Sequence, residues 1–251
     1  MARVFNGSTQ YTEATATPIS GWPLTIAAWA RTSDNASAQS VVSLGTSSGV
    51  LDYIDLQFNG SLAGDPIRWL PSNGSAVASI STTGYSVNVW HHLAGRSSSN
   101  TDHAVFLDGG SKGTNASSLS FPTNVSEVTH GSVWRNDGRF RYLSGSVFWP
   151  AIWNVALEDA EIASLAAGVS PLLIRPDSLV YFSPLGGLDG DYDNDIVGGL
   201  NLTAYNSPTW SDDSPSGLIY PSNSLITMGS VFSSPIMLRQ IKIQNQRLIL
   251  K

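Results

Sequence analysis

No cysteine occurs in the 251 residues, which excludes disulfides and thiolate metal sites outright. Charge is scarce as well: 13% of residues are Asp, Glu, Lys or Arg, about half the usual share. Glutamate is confined to Glu13, Glu127, Glu158 and Glu161, and the chain has 4 histidines. Few residues are therefore available for a glycosidase carboxylate pair or a histidine metal centre. No apolar run approaches the ~18 residues of a membrane span. The opening stretch MARVFNGSTQYTEATATPIS has one early arginine and no apolar core, so no secretory signal is expected. No phosphate-cradling loop is found. Asn-x-Ser/Thr triplets begin at Asn6, Asn35, Asn59, Asn73, Asn115, Asn124 and Asn201; they read as by-products of turns rich in Asn and Ser.

Gly, Ser, Thr and Asn fill the space that charge leaves, and they separate short alternating apolar runs. In YIDLQFN (53–59), Ile54, Leu56 and Phe58 point one way and Tyr53, Asp55 and Gln57 the other. LTIAAWAR (24–31) and AVFLDG (104–109) alternate too, the latter ending in an Asp-Gly turn. SVVSLG (40–45), PIRWL (66–70), SGSVFWPAIW (144–153) and SLVYFSPL (178–185) add further strands. Regular short strands joined by such turns predict an antiparallel β-sandwich. One helix is expected in LEDAEIASLAAG (157–168), with Ile162 and Leu165 at helical spacing and acids in the first turn. Gly168 is placed to end it, and the helix is expected to plug an end of the sandwich. Pro150 cannot donate to a ladder, so an edge or bulge is expected there.

Formal net charge is −6, unevenly divided. Residues 218–251 carry Arg239, Lys242, Arg247 and Lys251 and no acid, giving +4. Residues 1–217 hold nine basic against nineteen acidic residues, leaving −10. An acidic body argues against nucleic acid as a partner. The division of the chain is expected to be a body over 1–210, then a linker and extended arm over 211–251. The arm's IMLRQIKIQNQRLILK (236–251) is too apolar to prefer water, and its alternating core lacks a following partner strand. Arg239, Ile241, Lys242, Ile243, Arg247, Leu248 and Leu250 are the expected assembly residues, adding a strand to a neighbouring sheet.

The ordered motifs FNGSTQYTE (5–13), PLTIAAWAR (23–31), WHHLAG (90–95), AVFLDGG (104–110) and LSGSVFWPAIWNVALEDAEIASLAAG (143–168) carry a resemblance. Together they resemble the laminin-G-like, concanavalin A-like lectin/glucanase jelly roll over roughly residues 3–205. The resemblance implies two antiparallel sheets packed face to face, with a short helix after the late strand. More narrowly, SPLLIRPDSLV (170–180) and GGLNLT (198–203) resemble laminin-G-like proteins of tailed bacteriophages. Trp149 and Pro150 depart from the family, which often has an acid and then a β-branched residue there.

Three kinds of site are candidates. Adjacent His91 and His92 point to opposite faces of a strand, so they cannot share one metal. His92 is expected buried beside Trp90, His91 nearer solvent, and His103 facing water. The glucanase branch of the resembled family uses Glu-x-Asp-x-x-Glu on one strand; that spacing is absent, so no catalytic residue is expected. LDGDYDNDIVGG (188–199) places Asp189, Asp191, Asp193 and Asp195 at alternate positions, where a calcium or magnesium ion could be wrapped. The bland alternatives are a solvated acidic turn, or one aspartate anchoring IVGGLNL. Trp22 and Trp69, beside prolines near strand ends, are the expected sugar platforms. The resulting expectation is a non-enzymatic virion surface protein of a tailed phage, a capsid decoration or tail component. It would be assembled in the host cytoplasm, held through 218–251 to copies of itself or other virion subunits, and in contact with cell-surface glycan but neither membrane nor nucleic acid. The alternative is a free carbohydrate-binding lectin module, with calcium as its candidate cofactor.

Overall fold

A computed structural model describes residues 1–48, 50–135, 138–185 and 193–221. In chain order its strands are β1 (Ala2–Asn6), β2 (Tyr11–Ala14), β3 (Leu24–Thr32), β4 (Ala38–Gly45), β5 (Asp52–Asn59) and β6 (Pro66–Asn73). There follow β7 (Ser79–Gly84), β8 (His91–Ser99), β9 (Asp102–Leu107), β10 (Gly110–Asn115), β11 (Glu127–His130), β12 (Val133–Arg135), β13 (Gly138–Phe140) and β14 (Ser144–Trp153). Helix α1 (Asp159–Ala166) precedes β15 (Leu179–Phe182), β16 (Thr203–Tyr205) and β17 (Thr209–Ser211).

The strands form two large antiparallel sheets, with β12 and β13 paired as a separate hairpin. One runs β10-β9-β8-β3-β14-β1-β17, with β15 also paired to β14; the other runs β16-β2-β11-β4-β5-β6-β7. Alternation explains the core between them. Ile54, Leu56 and Phe58 of β5 face Leu24, Ile26 and Ala28 of β3, and Trp69 enters from β6. The inward apolar faces of the central strands are buried between the sheets, each large side chain contributing roughly 1.5–3 kcal/mol. Trp69 is fully buried and lies so close to β8 that a Cβ at Gly95 would stand 2.0 Å from its ring. No other residue fits at Gly95 without displacing the indole.

Strand β14 breaks register between Phe148 and Ala151, and Trp149 has φ 52°. This is the bulge expected at Pro150.

The helix does not plug an end of the sandwich. Ile162 and Leu165 pack with Ala27, Ala94, Phe106 and Trp153 on the outer face of the eight-stranded sheet. Alanines on β3, β8 and β9 leave the room, and Gly109 completes the fit: at φ 73°, its Cβ would stand 2.8 Å from Ala166. The helix start is held by a capping box, the Glu158 amide donating to Glu161 (2.7 Å).

Segment 211–221, the start of the expected linker, lies on the body. Asp213 pairs with Arg31 and accepts from Trp90 Nε1 (3.3 Å). Ile219 bridges Val169, and Tyr220 meets Trp149 edge-on. The assembly residues Arg239, Ile241, Lys242, Ile243, Arg247, Leu248 and Leu250 lie outside the described residues.

Candidate functional site

The histidines are structural anchors. His91 points off β8 toward the turn after β9, where its Nδ1 lies 2.8 Å from Asp108 Oδ2. On its other side the Ser86 amide donates to Nε2 at 3.0 Å. An accepted hydrogen bond at Nε2 places the proton on Nδ1, facing the carboxylate. The pair has the outline of a catalytic dyad, but the nitrogen that would take a substrate proton is occupied by backbone. Burial works to raise the Asp108 carboxyl; the bonds from His91 and the His92 amide more than offset it and hold it below the usual range. His91 is the nearer of the two adjacent histidines to solvent, as expected, though it too is buried.

His92 does turn to the opposite face. It packs edge-on against Trp29, its cross-strand partner on β3, and not against Trp90. Burial pushes its pKa down to about 4, against the opposing pull of Asp108. His103, expected in water, is fully buried because its strand leads into the sandwich. It ends a chain of directed bonds: Trp69 Nε1 donates to Ser97 Oγ (2.9 Å), Ser97 Oγ meets His103 Nδ1 (2.7 Å), and His103 Nε2 meets the Asn100 carbonyl (3.1 Å). Since a carbonyl only accepts, His103 carries its proton on Nε2. His130 lies between Thr12 Oγ1 (3.0 Å) and the Tyr181 hydroxyl (2.9 Å). Burial, helped by Arg3, pushes its pKa down to about 3.

Carboxylates that no linear motif connects meet on the outer face of the seven-stranded sheet. Glu13 on β2, Glu127 on β11 and Asp55 on β5 occupy outward positions, and the β12–β13 hairpin lies over them. Val133 packs on Tyr53 and Leu70. Arg139 reaches Glu13 and, at 3.6 Å, Glu127; Arg141 holds Asp55 at 2.8 Å. Tyr11 and Trp134 sandwich the Arg139 guanidinium, with centroids 3.8 and 4.7 Å away. Burial raises the Glu127 carboxyl above its ordinary range. The arrangement is an ion-pair layer covered by the hairpin. Sequence reading missed it because outward polar residues ordinarily face water, and nothing local to β5 announces a hairpin from residues 133–140.

The acidic loop is also committed in part to structure. Asp195 is 3% exposed; its Oδ1 accepts from the amides of Phe182, Val197 and Gly198, each at 2.9 Å, and Oδ2 from Leu200 at 3.3 Å. This is the anchoring role, and it corrects Asp195 as a metal ligand: its oxygens already face four N–H donors. Asp193 pairs with Arg3 at 3.1 Å. Asp189 and Asp191 lie outside the described residues. Among the described residues no group of three His, Asp or Glu side chains could hold a metal ion.

The two tryptophans separate. Trp69, in the core with its N–H on Ser97, has no face for a sugar; the correction follows from its place beside Ile67 on the inward side of β6. Trp22 is only partly buried. It forms the floor of an open depression with Phe121, whose ring stands edge-on at 5.0 Å; the rim is Ser98, Ser99, Asn100 and Thr101 of the β8–β9 turn. The floor is fixed by Trp22 Nε1 donating to the Leu119 carbonyl (3.3 Å). The rim is fixed from below: His103 and the Leu119 amide (2.7 Å) both bind the Asn100 carbonyl. The depression is therefore built before any ligand arrives, which limits the ordering cost of binding. Phe121 was missed; its only signal is a lone aromatic in the Ser- and Asn-rich stretch SSLSFPTN.

Residues 6–163 match the family model described as the concanavalin A-like lectin/glucanases superfamily. No curated protein sequence matches the chain. Solved structures share the fold at low identity. A putative carbohydrate-binding protein from Bacteroides ovatus has a TM-score of 0.57 and 17% identity over 83% of this chain and 59% of its own. A sialidase CBM40 from Ruminococcus gnavus, bound to α2,3-sialyllactose, has a TM-score of 0.52 and 16% identity over 66% and 98%. A heptameric SAP-like pentraxin from Limulus polyphemus has a TM-score of 0.52 and 14% identity over 66% and 81%.

Proposed function

The chain belongs to the concanavalin A-like lectin/glucanases superfamily, and from that premise we propose that it is a non-enzymatic carbohydrate-binding module whose contact surface is the Trp22–Phe121 depression. The observation that carries this is an aromatic floor, open to solvent, beside a preformed rim of hydroxyl and amide groups. The apolar C–H face of a sugar ring packs on such a floor, and its hydroxyls pair with groups that both donate and accept. The Bacteroides ovatus and Ruminococcus gnavus proteins, named as carbohydrate-binding or bound to a sialylated sugar, favour the same reading. The non-enzymatic part is supported by the backbone amide on His91 and by the arginines on Glu13, Glu127 and Asp55.

Glycan-array screening followed by calorimetric titration tests this reading. Trp22→Ala should weaken binding roughly thirtyfold or more, the scale of a buried aromatic hot spot. Phe121→Ala should weaken it less, and both variants should keep the wild-type melting profile. Unchanged affinity in Trp22→Ala would place the sugar elsewhere.

The charge division of the sequence favours a second reading, in which the module is displayed on a virion and its cationic C-terminal segment joins it to an acidic neighbour. Because Leu218–Pro221 lie on the body, the informative truncation removes 222–251. It should convert an assembling chain to a monomer in native mass spectrometry; an unaltered oligomeric state would remove this reading.

A further inference from the structure

We infer that the Trp22–Phe121 depression selects neutral glycans and binds them without a metal ion. This rests on the reading of the depression as the sugar-contacting surface and adds the chemical class of its ligand.

Glycans divide by charge. Sialic and uronic acids bring a carboxylate and sulfated sugars a sulfate. Taking such a group out of water needs a cation or converging N–H donors. Binding through calcium instead needs several protein oxygens, usually carboxylates, at the same place. The depression offers neither. Its lining consists of two aromatic rings and the uncharged side chains of residues 98–101. Asp102, next in sequence, is exposed and negative; it repels an anion, and alone it cannot hold calcium.

Nor, among the described residues, can a cation be drawn in from nearby. Every basic side chain in residues 1–217 except Arg68 and Arg135 already holds a carboxylate. Arg68 stands opposite Gln57 on the outer face of the other sheet, and Arg135 stacks on Phe140 in the hairpin. The −10 formal charge of residues 1–217 works in the same direction at longer range, opposing the approach of acidic polymers. What remains is well matched to a neutral sugar: Ser, Thr and Asn groups can each donate to one hydroxyl and accept from another.

The test uses the full-length chain on matched pairs of oligosaccharides, each neutral backbone beside the same backbone carrying sialic acid, uronate or sulfate. Binding is measured in calcium and in EDTA. The neutral member should bind about tenfold or more tightly than its charged partner, equally in both buffers, and should be lost in Trp22→Ala. Thr101→Arg, an exposed rim substitution that adds a cation, should narrow the gap. Charged partners bound as well as neutral ones through Trp22, or binding abolished by EDTA, would overturn the inference while leaving the depression as the glycan surface. Binding untouched by Trp22→Ala and Phe121→Ala, or silence on every sugar, would overturn both.

Discussion

Moving from pH 7.5 to pH 5 is expected to cost the fold about 4 kcal/mol through two buried imidazoles alone. His92 and His130 are held neutral by burial, with pKa values pushed to about 4 and about 3. In the unfolded chain both return to about 6.5. Below that value the unfolded state binds protons that the folded state refuses, so stability falls as pH falls. The loss begins near pH 6.5 and continues until each folded-state value is passed. Asp108 adds to it only lower down, since a carboxyl held below its ordinary range loses its contribution as that range is crossed. Glu127 works in the opposite sense, because burial raises it and the folded state takes its proton first. Against a typical total stability of about 5–15 kcal/mol, the expected loss should be plain in urea unfolding midpoints at pH 7.5, 6 and 5. His92→Leu should remove about half of the loss at pH 5. A midpoint that does not move over this range would mean that the two rings are hydrated or partnered in some other way.

Replacing Asp195 by Ala should destabilise the protein by about 3–5 kcal/mol, because it strands buried amides that now share one carboxylate. Three of those amides converge on Oδ1 and a fourth on Oδ2. Two of the donors, Val197 and Gly198, lie in the loop itself, while Phe182 belongs to β15. The carboxylate therefore ties the turn to the sheet and cannot be replaced by local relaxation. Asp195→Asn should cost less, about 1–2 kcal/mol, since its amide oxygen still accepts on one side while its NH₂ group meets a donor on the other. Denaturant titration of the three proteins checks both the size and the order. Equal stability of wild type and Asp195→Ala would show that water can take over the anchor. Adding calcium should leave the wild-type midpoint where it is if Asp195 is an anchor and the loop holds no ion.

Much of the architecture was legible because alternation is a local property. Ile54, Leu56 and Phe58 reach the core as their spacing requires, and the bulge sits at the proline that cannot donate. The same rule contained the answer for Trp69, which follows Ile67 at a spacing of two and is core; the neighbouring proline was the weaker signal. Strands such as β7, SISTTG, and β10, GSKGTN, carry no apolar period and are fixed by their partners. The seat of α1 depends on alanines in three distant strands, so its own amphipathic face could not reveal it. The ion-pair layer is hidden for a related reason: Glu13, Asp55, Glu127 and Arg139 are far apart in sequence and meet only once the hairpin folds over the sheet. At the candidate glycan surface, Trp22 was readable as an aromatic beside a proline in a loop. Phe121 and the role of His103 beneath the rim needed the tertiary structure.

The most direct test follows the indole N–H signals of the 8 tryptophans by NMR while a neutral glycan from the array is titrated in. A sugar seated on the Trp22–Phe121 floor should shift the Trp22 signal progressively and to saturation, leaving those of Trp69 and Trp153 in place. A titration that moves Trp29 or Trp90, or no indole at all, while binding is measured independently, would contradict the account.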